Sequence, residues 1–156
     1  MAHIARILVP TDFSAASDAA LTYARSLARQ FGASINLVHV FEDPLASGVF
    51  LGDGTVTMPL DLRESLERAA REQLAIRHGQ HVGMLPLSSS DLLTGPTAKR
   101  IVEHAEETRA DLIVMATHGR GGLSHLLLGS VAEKVVRTAK CPVLTAREPA
   151  LETVVA

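Results

Sequence analysis

The chain has 156 residues, of which 47% are hydrophobic and 21% charged, as expected for one globular domain with a full core. Its 15 basic and 17 acidic residues, no Trp and one Tyr offer neither a basic stripe nor aromatic platforms for bases. Since no apolar stretch is long enough to cross a bilayer and no signal peptide is recognisable, we expect a cytoplasmic protein with no nucleic-acid or membrane partner. The single cysteine, Cys141, excludes an internal disulfide and is interpreted as a small core residue, with a reactive thiol as the alternative.

A strand and a helix are predicted at the start of the chain. The apolar run Ile4–Val9 ends at Pro10, which is the pattern of a short buried strand. Ser14 is a suitable N-cap for the helix that follows, and Gly32 is a suitable end for it. We expect the apolar face of this helix to consist of Ala16, Ala20, Leu27 and Phe31.

The next segment contains a second strand, a long connection and a second helix. Residues Ser34–Val40 form the strand, and the charged stretch Asp61–His78 forms a helix that Gly79 ends. The connection Glu42–Met58 is long and partly apolar, so we interpret it as a lid over a ligand or a dimer contact, with disorder as the alternative. The helix residues expected to face the core are Leu62, Leu66, Ala69, Ala70 and Ile76.

The third strand is predicted between His81 and Leu93. This segment includes Gly83 and Pro86, and because proline cannot donate to a ladder, we place the strand at an edge of the sheet. Gly95-Pro96 begins the third helix, with the proline in the first turn. The inward positions of that helix are Ala98, Ile101, Val102 and Ala105.

A fourth strand (Asp111–Ala116), a fourth helix (Ser130–Ala139) and a fifth strand (Pro142–Ala146) complete the pattern. Apolar strands that alternate with helices indicate a mostly parallel, open five-stranded sheet with about four helices on its two faces, a Rossmann-like α/β sandwich. We assign residues 1–147 to this domain and residues 148–156 to a C-terminal tail.

The connection between the fourth strand and the fourth helix is rich in glycine. A strand, a glycine loop and a helix N-terminus together suit phosphate, because backbone N–H groups and the positive end of the helix dipole point into the loop. Gly129-Ser130 lacks the lysine of a Walker A loop, and no glycine follows the first strand as the dinucleotide pattern requires. The remaining pattern is Ala116-x-x-Gly119, nine residues and then Gly129-Ser130.

This loop resembles the ATP-binding loop of the universal stress protein family, whose pattern is Gly-x-x-Gly, nine residues and Gly-Ser/Thr. The resemblance covers residues 4–147, nearly the whole chain. The similar segments are Ile7–Ser14 for the first strand of the family and its turn, Ala110–Met115 for the fourth strand, and Gly129–Val136 with Cys141–Leu144 for the closing segment.

The resemblance implies a site for ATP or another adenine nucleotide, with Mg²⁺ held mainly by the phosphates and by water. We expect no metal cage of side chains, since the seven histidines are scattered. The first loop glycine of the family is Ala116 here, which adds a methyl group where the backbone is expected to lie against the ribose. Gly119 and Gly129 would let backbone amides approach phosphate oxygens. The residues carried over are Pro10, Thr11, Asp12, Val40, Met115, Ala116, Thr117, His118, Gly119, Arg120, Gly129, Ser130 and Val131.

Several of these residues also have simpler interpretations. The resemblance places Asp12 and the backbone of Val40 against the adenine, but Asp12 can instead form an Asx turn between strand and helix. Ser130 can cap the fourth helix, because Ser130-Val131-Ala132-Glu133 has the capping-box pattern, and this is compatible with backbone contacts to phosphate. His118 and Arg120 are candidates to complement phosphate charge, and either can be a solvated loop residue.

Three functions remain open. The resemblance favours a nucleotide-binding stress regulator that forms a homodimer through the edge strand Val143–Thr145 and has a regulatory protein partner. A slow ATP hydrolase or phosphotransferase is the second, although the loop Thr117–Ser130 has no acidic residue, glutamine or lysine to orient water or neutralise a phosphoryl group. The third is a dimeric interaction module that has lost nucleotide binding, and Ala116 is the feature in its favour.

Overall fold

The structure, a computed structural model, describes residues 3–42, 49–51, 54–56, 60–85, 87–118 and 128–147. These residues form seven strands and four helices. The strands are β1 (Arg6–Pro10), β2 (Ser34–Phe41), β3 (Val49–Leu51), β4 (Gly54–Val56), β5 (Ser89–Thr94), β6 (Leu112–Ala116) and β7 (Val143–Ala146). The helices are α1 (Ala15–Phe31), α2 (Leu60–His81), α3 (Thr97–Glu107) and α4 (Ser130–Thr138).

The main sheet has five parallel strands in the order β5-β2-β1-β6-β7. It separates two groups of buried residues, which we call the α1-side core (including Ile7, Val9, Leu21, Ala24, Leu37 and Val114) and the α3-side core (including Leu8, Val38, Ile101, Ile113 and Val135). Neighbouring strand residues alternate between the two cores, so β6 is apolar throughout and β1 is apolar after Arg6. The predicted α/β sandwich is confirmed.

Helix α1 begins and ends where its sequence predicts. The Ser14 hydroxyl accepts a hydrogen bond from the Ser17 amide at 3.2 Å, and Gly32 ends the helix in the left-handed region at φ 66°. The prediction that Phe31 faces the core is wrong, because this side chain is 46% exposed. Small residues allow α1 to lie close to the sheet, and those buried include Ser17, Ala20, Ala24 and Ala28.

Helix α2 is longer and less buried than predicted. It passes through Gly79 to His81, and a Cβ placed on Gly79 would meet no atom within 4 Å. Its buried residues are Ala70 and Leu74, which lie one turn apart on the face that covers β2 and β5. The expectation of inward Leu62, Leu66, Ala69 and Ile76 is wrong, because all four are exposed.

Strand β5 lies at an edge of the sheet, as predicted, and pairs with β2 from Ser89 to Thr94. It begins at Ser89, and Pro86 lies outside the described residues. Pro96 is the N-cap of α3 rather than a residue of its first turn. Inside that helix Ile101 and Ala105 are buried, as expected.

Part of the connection between β2 and α2 is an antiparallel hairpin. In it, Val49 pairs with Val56, Phe50 with Thr55 and Leu51 with Gly54. Residues 43–48, 52–53 and 57–59 lie outside the described residues, so a lid or a dimer contact here stays a prediction. The boundary between domain and tail at residue 147 also stays a prediction, since residues 148–156 lie outside the described residues. Within the part of the chain that is described, no helix has the length and apolar character to span a bilayer.

Candidate functional site

The sheet reverses its direction of growth between β1 and β6. From β1 the chain passes through α1 to β2, whereas from β6 it passes through α4 to β7 on the other side. The carboxyl ends of these two neighbouring strands therefore border a crevice of the kind in which open α/β sheets bind ligands. Pro10 and Thr11 lie at the end of β1, and Ala116 and Thr117 lie at the end of β6.

The turn after β1 holds the Asp12 carboxylate in a defined place. Its Oδ1 atom accepts hydrogen bonds from the backbone N–H of Ser14 at 3.0 Å and from the Ser14 hydroxyl at 2.5 Å. Asp12 thus forms the Asx turn that was one of its two interpretations. Thr11 is buried, donates its N–H to the Val38 carbonyl at 2.8 Å and accepts from the Phe13 N–H at 3.0 Å.

Val40 presents its backbone next to this turn. Its side chain is buried in the α3-side core, so a ligand could meet only main-chain atoms. The Val38 carbonyl is directed at β1, where it accepts from Thr11. Strand residues two apart have the same orientation, so the N–H and C=O of Val40 point to the same side of β2 as the Val38 carbonyl. At this position β1 has already ended. This arrangement fits the backbone role that the resemblance implies.

At the end of β6, side chains point away from the crevice into the two cores. Met115 is buried in the α3-side core, and the Ala116 methyl packs against the α1-side core. Thr117 is buried, donates its N–H to the Ala146 carbonyl at 3.0 Å, and has its hydroxyl 3.0 Å from Nδ1 of His118. Gly119 and Arg120, the next two predicted site residues, lie outside the described residues.

Gly129 brings the N-terminus of α4 against the end of β6. Its N–H donates to the Thr117 carbonyl at 2.7 Å, and a Cβ added to it would lie 3.0 Å from that oxygen. Gly129 is itself the N-cap, and Ser130 is the first helical residue and is exposed. The capping-box interpretation of Ser130 is therefore wrong, because the helix begins at Ser130 itself, one residue too early for Ser130 to be its N-cap. A glycine cap supplies no side-chain oxygen to the N–H groups of the first turn.

Four residues that the sequence did not single out support the β1–α1 turn. Phe13 has a φ of 66°, in the left-handed region, and its ring stacks on the imidazole of His39 with centroids 4.3 Å apart. Arg77 of α2 donates to the Phe13 carbonyl at 2.9 Å and to Asp18 at 3.0 Å. These residues are far apart in the sequence, and no motif links them.

In the described part of the site, no side chains form a cluster suited to a metal. Among the residues with described positions, no three His, Cys, Asp or Glu side chains lie close enough to hold an ion. Asp12, the acidic residue at the end of β1, already accepts two hydrogen bonds from Ser14.

Comparison with known proteins decides the family. Residues 3–147 match the model of the universal stress protein family. The chain belongs to that family. Universal stress protein MJ0531 of Methanocaldococcus jannaschii is 35% identical over 150 residues, covering 94% of this chain and 84% of that protein. Universal stress protein UspA from Lactobacillus plantarum has the same fold, with a TM-score of 0.74 and 26% identity over 94% of this chain and 100% of that one.

Two further universal stress protein structures share the fold and contain nucleotides. One, from Archaeoglobus fulgidus, is in complex with dAMP and has a TM-score of 0.56 at 23% identity. The other is in complex with cAMP and has a TM-score of 0.59 at 24% identity. Each comparison covers 93% of this chain and 98% of the other. The family expected from the loop pattern is thus confirmed, whereas the role of each site residue in this universal stress protein stays a prediction.

Proposed function

We propose that this chain is a cytoplasmic stress-response protein that binds ATP or another adenine nucleotide in the crevice between β1 and β6. The observation that carries the proposal is the contact of Gly129 with Thr117, because it brings a helix N-terminus with a glycine cap to the switch point of the sheet. The family relationship supports it, as do the related structures that contain dAMP and cAMP.

The phosphates are assigned to the start of α4 and the loop before it. The N–H groups of Ser130 and Val131 belong to the first helical turn, where they have no partners within the helix and the dipole favours negative charge. Gly119, Arg120 and His118 are proposed to complete this side by the family resemblance. Any Mg²⁺ would be held by the phosphates and water, which matches the lack of a carboxylate cluster among the described residues.

The nucleoside is assigned to the turn after β1. Asp12 is the acceptor there, and its Asx turn leaves it compatible with a ligand contact because a carboxylate can accept about four hydrogen bonds. The main-chain groups of Val40 supply the second contact to the base. Pro10, Thr11 and Met115 contribute backbone and shape rather than functional side chains, since Thr11 and Met115 are buried.

The position of Ala116 does not favour the alternative of a module that has lost nucleotide binding. Its methyl packs against the α1-side core and so is turned away from the crevice. The sequence of the loop favours binding over turnover, because it lacks an acidic residue, glutamine and lysine between Thr117 and Ser130. We therefore favour a nucleotide-responsive regulator, with a regulatory protein as its expected partner, over a hydrolase.

The experiment is isothermal titration of the nucleotide-free protein with ATP, AMP and cAMP, each with and without Mg²⁺. We expect saturable binding of at least one adenine nucleotide and no measurable affinity for a pyrimidine nucleotide used as the control. Absence of binding to every adenine nucleotide would refute the proposal. Release of phosphate from ATP at more than about 1 s⁻¹, the low end of ordinary enzyme turnover, would show that the protein is a hydrolase rather than a regulator that only binds nucleotide.

We also propose that the chain forms a homodimer through β7. This strand is the last of the main sheet, and within the described residues no strand pairs with its outer side. The carbonyls of Pro142 and Ala146 accept hydrogen bonds from the N–H groups of Ile113 and Thr117, so the even-numbered residues of this segment direct their backbone groups toward β6 and the residue after it. The odd-numbered residues Val143 and Thr145 therefore have their N–H and C=O groups on the outer side of β7. Leu144 on this strand and Val136 on α4 are exposed apolar side chains beside it.

A further inference from the structure

We propose that Arg77 is a positioning residue for the nucleotide site. It lies on α2, and it holds the β1–α1 turn in the conformation that directs the Asp12 carboxylate. This inference rests on the proposed function, because it concerns the same site. The geometry that carries it is a single guanidinium group on α2 that binds both the β1–α1 turn, at Phe13, and α1, at Asp18.

The Arg77 guanidinium uses each of its nitrogen atoms. Nε donates to Asp18 Oδ1 at 3.0 Å, Nη1 to Gln73 Oε1 at 3.1 Å, and Nη2 to the Phe13 carbonyl at 2.9 Å. Only 17% of the Arg77 side chain is exposed, and its bonds to Asp18 and Phe13 are partly buried, whereas the bond to Gln73 is at the surface. A planar group with fixed donor directions therefore links α2 to the turn and to the first turn of α1.

Phe13 is the residue through which Arg77 acts. A non-glycine residue occupies the left-handed region only where its surroundings hold it there, and Phe13 has a φ of 66°. Arg77 binds its carbonyl, and the guanidinium carbon lies 5.1 Å from the centre of its ring. The His39 imidazole stacks on the same ring and donates from Nδ1 to the Thr11 carbonyl at 2.7 Å.

The backbone conformation of Phe13 determines where Asp12 points. Asp12 precedes Phe13 and Ser14 follows it, and the Ser14 N–H and hydroxyl both bind the Asp12 carboxylate. If Phe13 relaxed to a negative φ, the chain direction between Asp12 and Ser14 would change and the Asx turn would break. Arg77 thus sets the carboxylate direction without contributing an atom of its own to the assigned ligand contacts.

The first test compares Arg77→Gln and Arg77→Lys with Arg71→Gln, an exposed arginine of the same helix. We expect the Kd for ATP to rise about tenfold in both Arg77 variants and to stay unchanged in the control, because lysine restores the charge without the planar fork. Titrations are made well below each melting temperature, so that all species are folded. Unchanged affinity in the Arg77 variants, with ATP binding by the unmodified protein, would overturn this inference alone.

The second test separates positioning from a general loss of structure. Arg77→Gln is combined with Asp12→Asn in a double-mutant cycle on ATP affinity. If Arg77 acts through Asp12, its substitution adds little once the carboxylate is gone, whereas purely additive losses would overturn the inference. Should Arg77→Gln fail to fold, Phe13→Leu takes its place in the same cycle. If the unmodified protein binds no adenine nucleotide, the proposed function fails and this inference with it.

Discussion

The backbone N–H of Gly129 donates a 2.7 Å hydrogen bond to the carbonyl of Thr117, so the N-cap of α4 is attached directly to the end of β6. A side chain at position 129 would crowd this contact, since a Cβ would lie 3.0 Å from the same oxygen. Glycine is therefore favoured here by the close approach of two backbone segments, before any ligand is considered.

Gly129→Ala should lower both stability and nucleotide affinity. The added methyl must push α4 away from Thr117, and overpacking of this kind costs roughly 1–3 kcal/mol of the free energy of unfolding. Thermal unfolding and titration with ATP measure the two effects. Ser130→Ala is the matched control: its side chain is exposed and does not cap the helix, so the melting temperature should stay the same. A clear loss of stability in Ser130→Ala would restore the capping role rejected above.

Ala116→Gly restores the glycine of the family pattern. Because the Ala116 methyl packs against the α1-side core, we expect little change in ATP affinity. Glycine within a strand should destabilise the protein by about 0.5–1 kcal/mol. Chemical denaturation and calorimetric titration of the same preparations check both expectations. A large gain in ATP affinity would instead favour the module that has lost nucleotide binding.

Asp111 stabilises the opposite edge of the sheet. Its Oδ2 accepts from the backbone N–H of Ala5 at 3.0 Å and of Arg6 at 2.8 Å, just where β1 begins. Hydrogen bonds to charged groups contribute about 1.5–3 kcal/mol to stability. Because Asp111 is partly exposed, we expect Asp111→Ala to lower the free energy of unfolding by about 2 kcal/mol. Since this is the amino edge of the sheet, ATP affinity at low temperature should remain unchanged. An equal loss of affinity and stability would show that nucleotide binding merely follows folding.

Cys141 should react slowly with alkylating reagents. Burial raises the pKa of its thiol above the usual value, and the nearby Asp111 carboxylate adds to this effect. Because the thiolate is the reactive form, its fraction at pH 8 is lower than in a free cysteine, and the rise of rate with pH is displaced upward. Alkylation by iodoacetamide, followed by mass spectrometry from pH 7 to 10 with an unfolded control, measures this. A rate equal to that of the unfolded chain at pH 8 would support the reactive-thiol interpretation.

Thr145→Pro tests the proposed dimer without disturbing the main sheet. The Thr145 N–H faces the outer side of β7, so its loss leaves the bonds between β6 and β7 intact. We expect a dimeric parent protein and a folded monomeric variant in light scattering after size exclusion. Leu144→Ala, which keeps the backbone donor, is the comparison and should weaken the dimer less. A parent protein that is monomeric at every concentration would exclude this interface.

The parts of the fold predicted correctly depend on local signals. Ser14 and Gly32 delimit α1 because a cap acts within one turn of its own residue. Of the residues predicted to face inward on α2, only Ala70 is buried, because apolar periodicity does not reveal how wide a stripe of the helix the sheet covers. Leu62 and Leu66 belong to the periodic pattern, yet only Ala70 and Leu74 are buried.

The candidate site likewise combines residues that local sequence signals indicate with residues that they do not. Glycine spacing pointed to Gly129 and the family resemblance pointed to Asp12, because both belong to short sequence motifs. The capping role of Ser130 was predicted wrongly because the contact between Gly129 and Thr117 is a tertiary contact that no local pattern encodes. Arg77 was missed for the same reason: its partners Phe13 and Asp18 lie in another helix and its preceding turn.

The central place of β1 has a consequence for synthesis of the chain. β1 pairs on one side with β2, which follows closely, and on the other with β6, which begins only at Leu112. A nascent chain that ends after α3 can form β1, β2 and β5, but the edge of β1 that later pairs with β6 stays exposed. Because this strand is largely apolar, its exposed edge is a template for association with other chains. Ribosome-bound chains ending near residue 107 should therefore need a chaperone, and those that include β6 should not.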